Sequence, residues 1–234
     1  LLKLFNEVSF WQRFGGEHPI PYLALDIAHQ RDQLRLLREN VMLVVTDYNQ
    51  ILDQLNAEEQ LLFREQLRRL DRRVNAGLNR FTWASKGVIE WYVKDCRKHC
   101  STSYSLAMQF KKQNADIIKA CRSIARLNLL SLKRNYVYDD GVFVAKQDIH
   151  RKNIRERLQQ LCRRIEKNIR EMYEIFSGDP PDIQQRWKQY VFSVESQIEA
   201  GLRECLKTSL KEFNKCINGD GKNDPQPLFK SNAI

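Results

Sequence analysis

Glycine and proline are scarce in this chain: nine and six among 234 residues, most of them gathered at a few places. An all-β domain needs turn residues every roughly 8–12 positions, so that class is excluded. Abundant Leu, Arg, Glu, Gln and Lys predict long helices instead. No apolar run approaches the roughly 20 residues that a membrane span needs. The most apolar stretch, Val41 to Val45, is flanked by Glu39 and Asp47. The first residues, LLKLFNEVSFW, lack an initiator Met and do not form a signal peptide. The chain is therefore expected to be a piece of a longer protein. There is no Asn-x-Ser/Thr sequon, and six dispersed cysteines fall mostly at helical core positions. Both facts favour a reducing intracellular compartment over a secreted disulfide framework.

Motifs for chemistry are lacking as well. No Gly-x-Gly-x-x-Gly, Gly-x-Ser-x-Gly or His-Glu-x-x-His occurs. Gly219-Asp220-Gly221-Lys222 invites a phosphate-loop reading. Cys216 and Asn223 stand where that loop needs Gly and Ser or Thr, and the segment follows a helix rather than a strand. A calcium loop also fails there, because the closing Glu is missing. Cys96-x-x-His99-Cys100 places three metal-ligating side chains on one helix face. A structural zinc takes four ligands, usually as pairs from separate elements, and no second pair is visible. The cysteines are expected to pack in the core with His99 at its rim. No catalytic residue, cofactor-binding residue or metal ligand is assigned.

What the chain does have is helical periodicity. A first helix is expected over Leu1 to Arg13, broken by Gly15, Gly16, Pro19 and Pro21. A second, over Leu23 to Leu55, carries a seam at Ile27, Leu34, Leu37, Val41, Val44, Tyr48, Ile51 and Leu55, a near-heptad spacing. Asn56 and Glu59 predict a capping box, followed by a stripe at Phe63, Leu67, Leu70 and Val74. After a joint, a very long helix is expected from Val88 to Leu132. Gln113 and Asn114 mark a kink or an exposed face in it. Asn135 to Val144, with its Asp-Gly step, fits a small hairpin or a structured loop. Two more helices follow, Ala145 to Phe176 and Asp182 to Ile217, the second with Ile183, Trp187, Tyr190, Val194, Ile198, Cys205 and Ile217 inward.

The joint carries two of the four tryptophans. Trp83 lies in the break before Gly87, and Trp91 in the first turn beyond it. Large aromatics at a joint can each bury about 150–250 Å², so Trp83, Gly87 and Trp91 are expected to lock two helices at a fixed angle. The net charge of +10 concentrates in two helices, around Arg64 to Arg73 and Arg151 to Arg170. A charge run is ordinarily a solvated face. The sharper reading is a docking face for something acidic, with Arg68, Arg72, Arg73, Arg163, Arg164 and Lys167 as candidate contacts.

Several stretches taken together resemble the stem region of dynein heavy chains, most closely the axonemal kind. They are Phe5-Asn6-Glu7-Val8-x-Phe10-Trp11-x-Arg13, Leu34 to Val41 (LRLLRENV), and Val45-x-Asp47-Tyr48-Asn49. Further along come Thr82-Trp83-x-Ser85-Lys86-Gly87, Val93 to Lys98 (VKDCRK), and Ile217 to Lys222 (INGDGK) with Pro227-Leu228-Phe229. The resemblance covers nearly the whole chain. It implies a segment without catalytic residues or cofactors of its own, in a heavy chain that is a microtubule motor ATPase with its ATP sites elsewhere. It also implies partners: dynein intermediate and light chains, other heavy chains, and axonemal docking structures or the doublet microtubule. The implied location is the cytoplasm and cytoskeleton, at the axoneme of a cilium or flagellum.

The expected fold is therefore all-α, long antiparallel helices in stacked bundles that form an elongated stem segment. The expected division is a first bundle segment over 1–74, the Trp-containing joint over 75–87, a second bundle segment over 88–217 and an extended linker over 218–234. The alternative function is a stand-alone basic helical module that binds nucleic acid or an acidic protein surface. Tryptophans near stripes and joints speak against nucleic acid, and no membrane partner is expected.

Overall fold

A computed structural model describes residues 2–15, 19–78, 81, 85–133, 136–219 and 227–230. The described chain is all-α. Its helices are α1 (Leu2–Phe14), α2 (Tyr22–His29), α3 (Arg31–Gln54), α4 (Ala57–Leu62), α5 (Arg64–Leu78), α6 (Lys86–Ala125), α7 (Asp140–Phe176) and α8 (Pro181–Asn218). None is long and apolar enough to cross a membrane. The chain divides into two compact units, Leu1–Ala107 and Met108–Ile234. The division between them falls within α6.

In the first unit the expected seam is real. Leu34, Leu37, Val44 and Ile51 of α3 are buried, and so are Leu62 and Phe63, then Leu70 and Val74 of α5. The expected second helix is two helices, α2 and α3, separated at Gln30. Gln30 has φ −91° and ψ 11°, which interrupts the helix there, and its side-chain amide reaches back one turn to the Asp26 carboxylate at 3.1 Å. Phe5, Leu34 and Leu37 form a buried cluster joined by Ile27, Ala28 and Ile89. The capping box forms as expected: Glu59 N donates to Asn56 Oδ1 at 2.8 Å, and Asn56 N to Glu59 Oε2 at 2.9 Å.

In the second unit the rest of α6 packs with α7 and α8. Gln113 and Asp116 of α6 meet Glu171 and Arg164 of α7, so those helices run antiparallel. Asn114 and Leu127 meet Tyr190 and Cys205 of α8, so α8 runs with α6. One end of the core is aromatic. Phe110 meets Phe176 and Tyr190, and Trp187 stacks on Tyr190 with centroids 5.2 Å apart. Gly201 lets α8 approach α6, since a Cβ there would stand 3.1 Å from Cys121 O. Ile217, expected inward, is 45% exposed.

Of the small hairpin and the structured loop expected over Asn135 to Val144, no hairpin forms among the described residues. Asp139 caps α7, and Asp140 and Gly141 enter its first turn, where an acidic side chain suits the helix dipole. Tyr138 instead makes an isolated parallel bridge with Phe229. Its N–H donates to Leu228 O at 2.8 Å, and its carbonyl accepts from Lys230 N at 3.0 Å. The tail is thereby tied to the loop before α7. Gly219 (φ 75°) ends α8 as expected, in a conformation that favours glycine.

The joint is built differently from the expectation. Trp83 lies outside the described residues. Trp91 is 69% exposed, and a Cβ on Gly87 would meet nothing within 4 Å. The buried aromatic is Tyr92, whose hydroxyl donates to Val74 O at 2.5 Å and whose ring meets Phe81 at 4.8 Å. One residue along a helix is about 100° around it, which moves Trp91 off the face that Tyr92 occupies. Gly77 is the glycine this packing requires: a Cβ there would stand 2.2 Å from the Tyr92 ring. That ring is held at its hydroxyl by Val74 O and flanked by the Phe81 ring.

Two alanine substitutions should therefore have opposite outcomes. Gly77→Ala should destabilise the chain by about 1–3 kcal/mol through overpacking, despite the better helix propensity of Ala. Gly87→Ala should leave stability unchanged or raise it by up to about 1 kcal/mol. Thermal unfolding of both variants checks this; equal midpoints would show that Tyr92 does not hold the joint.

Candidate functional site

The six basic residues singled out from the sequence have different fates. Arg73 pairs with Asp95 at 2.9 Å and ties α5 to α6. Arg164 pairs with Asp116 at 2.8 Å and ties α7 to α6. Arg68 shares Glu65 with Arg69 within α5, at 4.0 and 3.6 Å. Lys167 reaches Glu171 one turn along α7, at 3.7 Å. Arg72 and Arg163 are exposed and make no ion pair with a described residue. The cations thus do two jobs: Arg73 and Arg164 hold helices together, and the rest stand on solvated faces. Each exposed pair contributes at most about 1 kcal/mol. Arg97 joins the first group, with its Nε 3.1 Å from Asp47 of α3.

Cys96 and Cys100 are fully buried, as expected from their place in the stripe. His99 is half-buried, with Nδ1 2.9 Å from Asp95 O and 3.4 Å from its carboxylate. The Cys96 thiol leans on Arg73 O at 3.9 Å. Among the described residues no group of three His, Cys, Asp or Glu side chains is gathered to hold a metal ion. Burial, aided by the nearby Asp47 charge, pushes the Cys100 thiol from about 9 up to about 11. Burial also raises Cys96, Cys121 and Cys205. These sulfurs are protonated near neutral pH, and a thiol is a poor nucleophile and a poor metal ligand. Of the Gly219–Lys222 loop only Gly219 is described, as the end of α8.

Two tyrosines act as polar pins. The Tyr48 hydroxyl donates to Asp71 and joins α3 to α5. Burial first, and then Asp71, pushes its pKa up to about 12. Tyr92 is also shifted upward by burial. Neither pin was legible from the sequence as such, although Tyr48 lies on the seam and Tyr92 lies next to a stripe residue.

A polar layer crosses the second unit. Gln113 and Asn168 are only 7% and 9% exposed. Gln113 Nε2 donates to Glu171 at 2.7 Å, while Gln113 Oε1 and Asn168 Nδ2 find no partner among the described residues. Beside them the Tyr190 hydroxyl donates to Asn114 Oδ1 at 3.0 Å. The sequence suggested a kink or an exposed face at Gln113 and Asn114. The helix is instead continuous, and Gln113 points into the bundle. Buried polar groups of this kind set register at some cost in stability.

Two outcomes follow. The acid shift of Cys100 is upward, so its contribution to stability is complete below about pH 9 and is lost as pH rises through about 11. Denaturant midpoints should fall across that window, and less steeply in Cys100→Ala; parallel curves would remove the thiol from the account. In the polar layer, Asn168→Leu combined with Gln113→Leu should be nearly neutral or stabilising, because both orphaned groups leave together. Gln113→Leu alone should stabilise less than the double change, because Asn168 Nδ2 stays buried without a partner among the described residues, while Glu171 is exposed and keeps Lys167 at 3.7 Å. Urea unfolding of the single and double variants measures the difference.

The arrangement offers packed helices, internal ion pairs and neutral thiols, and no described constellation of nucleophile, base and electrophile. Residues 1–91 match the family model described as Dynein heavy chain, N-terminal region 1. Over 230 residues, 98% of this chain, the sequence is 36% identical to Dynein axonemal heavy chain 2 of Mus musculus and of Homo sapiens. Over the same length it is 33% identical to the Dynein-1-beta heavy chain, flagellar inner arm I1 complex, of Chlamydomonas reinhardtii. The chain spans about 5% of the length of these relatives. An ordered set of matches from the first helix to the tail, on an all-α fold with the periodicity those helices require, places this chain in the dynein heavy-chain family, in its N-terminal region.

Proposed function

We propose that this chain is a structural and assembly segment in the tail of an axonemal dynein heavy chain, of the inner-arm kind that the Chlamydomonas relative represents. It joins a motor made elsewhere in the heavy chain to an anchor on the doublet microtubule. It recruits intermediate and light chains and meets neighbouring heavy chains at the axoneme of a cilium or flagellum. The observation that carries this reading is the likeness to axonemal heavy chains across 98% of the chain.

The geometry supports a mechanical role. Interhelical pins such as Tyr48 to Asp71 and Tyr92 to Val74 O resist sliding of the helices under load. Apolar side chains left outward offer surface for neighbours. Phe10 meets the rings of Trp11 and Phe14, all three outward on α1, with Phe14 71% exposed. A helix that is apolar on both sides is one built to be covered.

The test is replacement of the native heavy chain in ciliated cells by a full-length chain carrying Phe10→Ser, Trp11→Ser and Phe14→Ser. The variant should enter axonemes at a small fraction of the wild-type level while the purified heavy chain keeps its ATPase activity. Normal incorporation with all subunits would overturn the assembly role of this face. Binding of the chain to nucleic acid, weakening steeply with salt, would favour the alternative of a basic binding module.

A further inference from the structure

The basic stretch of α7 is not uniformly solvated once its ion pairs are assigned. Residues 151–170 hold eight Lys or Arg against two Glu. Arg151 is taken by Asp148, Arg164 by Asp116 and Lys167 by Glu171. Lys152, Arg155, Arg163 and Arg170 are exposed and make no ion pair with a described residue. On a helix of 3.6 residues per turn these four fall on one stripe, with Gln159 and Glu166 filling its gaps. The steps are 3, 4, 4, 3 and 4 residues, so the stripe is continuous and about 27 Å long. It lies well around the helix from the buried Ile165, Asn168, Met172 and Phe176.

We propose that this stripe is a docking surface for an acidic protein segment, an extended or helical stretch bearing spaced Asp and Glu carboxylates, contributed by an accessory chain of the complex. The proposal rests on the axonemal reading above. Charge complementarity selects the occupant. Unpaired cations along one exposed line leave a potential that opposite charges on a partner relieve, and such complementarity fixes partner and register more than it adds affinity. Spacing argues for carboxylates over a nucleic-acid backbone. The cations stand about 4.5, 12 and 10.5 Å apart along the axis, too sparse to track a continuous row of phosphates. Glu166 in the middle of the row repels a polyanion, and it can be matched by a single Lys or Arg in a mostly acidic segment. No aromatic side chain interleaves the stripe to stack on bases. Arginine at three of the four positions suits bidentate contact with carboxylates.

The experiment uses the assembled complex with the full-length heavy chain. Zero-length carbodiimide coupling should join Lys152 to an Asp or Glu of another subunit, identified by mass spectrometry. Arg155→Gln, Arg163→Gln and Arg170→Gln together should release that subunit at lower salt, with association weakened by about tenfold near physiological ionic strength. The same three positions changed to Lys should keep most of the binding, which separates loss of charge from loss of fold. Three results would overturn the inference: no cross-link from Lys152 to a carboxylate, equal salt resistance of the Gln variant and wild type, or release of the bound species by nuclease. Failure of the wild-type heavy chain to enter axonemal complexes at all would strike the functional reading itself.

Discussion

Long helices that bury one apolar stripe can slip by a turn and still find apolar neighbours, so this fold depends on the contacts that forbid slipping. In the first unit those are the Tyr48 hydroxyl on Asp71, the Tyr92 hydroxyl on Val74 O, and the Arg97–Asp47 and Arg73–Asp95 pairs. In the second they are Gln113 on Glu171, Tyr190 on Asn114 and Arg164 on Asp116. Each joins particular turns of two helices, and a slip of one turn moves the partners about 5.4 Å apart. For the buried and half-buried hydroxyl and amide contacts, a polar group left without its partner costs about 1–3 kcal/mol, and each exposed ion pair adds at most about 1 kcal/mol to the preference for one register.

The same economy explains why residues that look chemical are not. Cys96 and Cys100 carry the stripe of α6, and burial holds them as thiols. His99 bonds its own helix. Arg73 and Arg164, which looked like contacts for a partner, are spent on neighbouring helices. Surface for partners is what remains: unpaired cations on α7 and aromatic side chains on the outer side of α1. A segment of this kind suits the role proposed for it in the N-terminal region of a dynein heavy chain.

Much of the fold was legible in the residues. The near-heptad seam of α3 and the capping box at Asn56 and Glu59 are local patterns with a direct physical cause, and both appear in the structure. The helix stop at Gly219 is equally local. The misreadings share one origin, which is competition between local and distant contacts. The Asp140-Gly141 step has the composition of a hairpin turn, but Tyr138 found its bridge partner at Phe229, far along the chain, and Asp140 was left to open a helix. Gln113 reads as solvent-facing until Glu171 is seen opposite it. Trp91 is the larger side chain, but the turn of the helix puts Tyr92 on the buried face. As for a site, the sequence marks two basic helices and does not say which of their cations pair across helices.

What the sequence determined by itself is the class of structure and the absence of recognisable catalytic motifs, because period, propensity and motif spacing are properties of neighbouring residues. It also carried the family, since an ordered series of short matches survives without knowledge of contacts. The tertiary structure decided which aromatic holds the joint, which glycine must stay bare, which cations are spoken for, and that Gln113 and Asn168 lie inside the bundle. Each of these turns on what a side chain meets across a helix interface, and a helix's own sequence says which face is apolar but not what will stand opposite it.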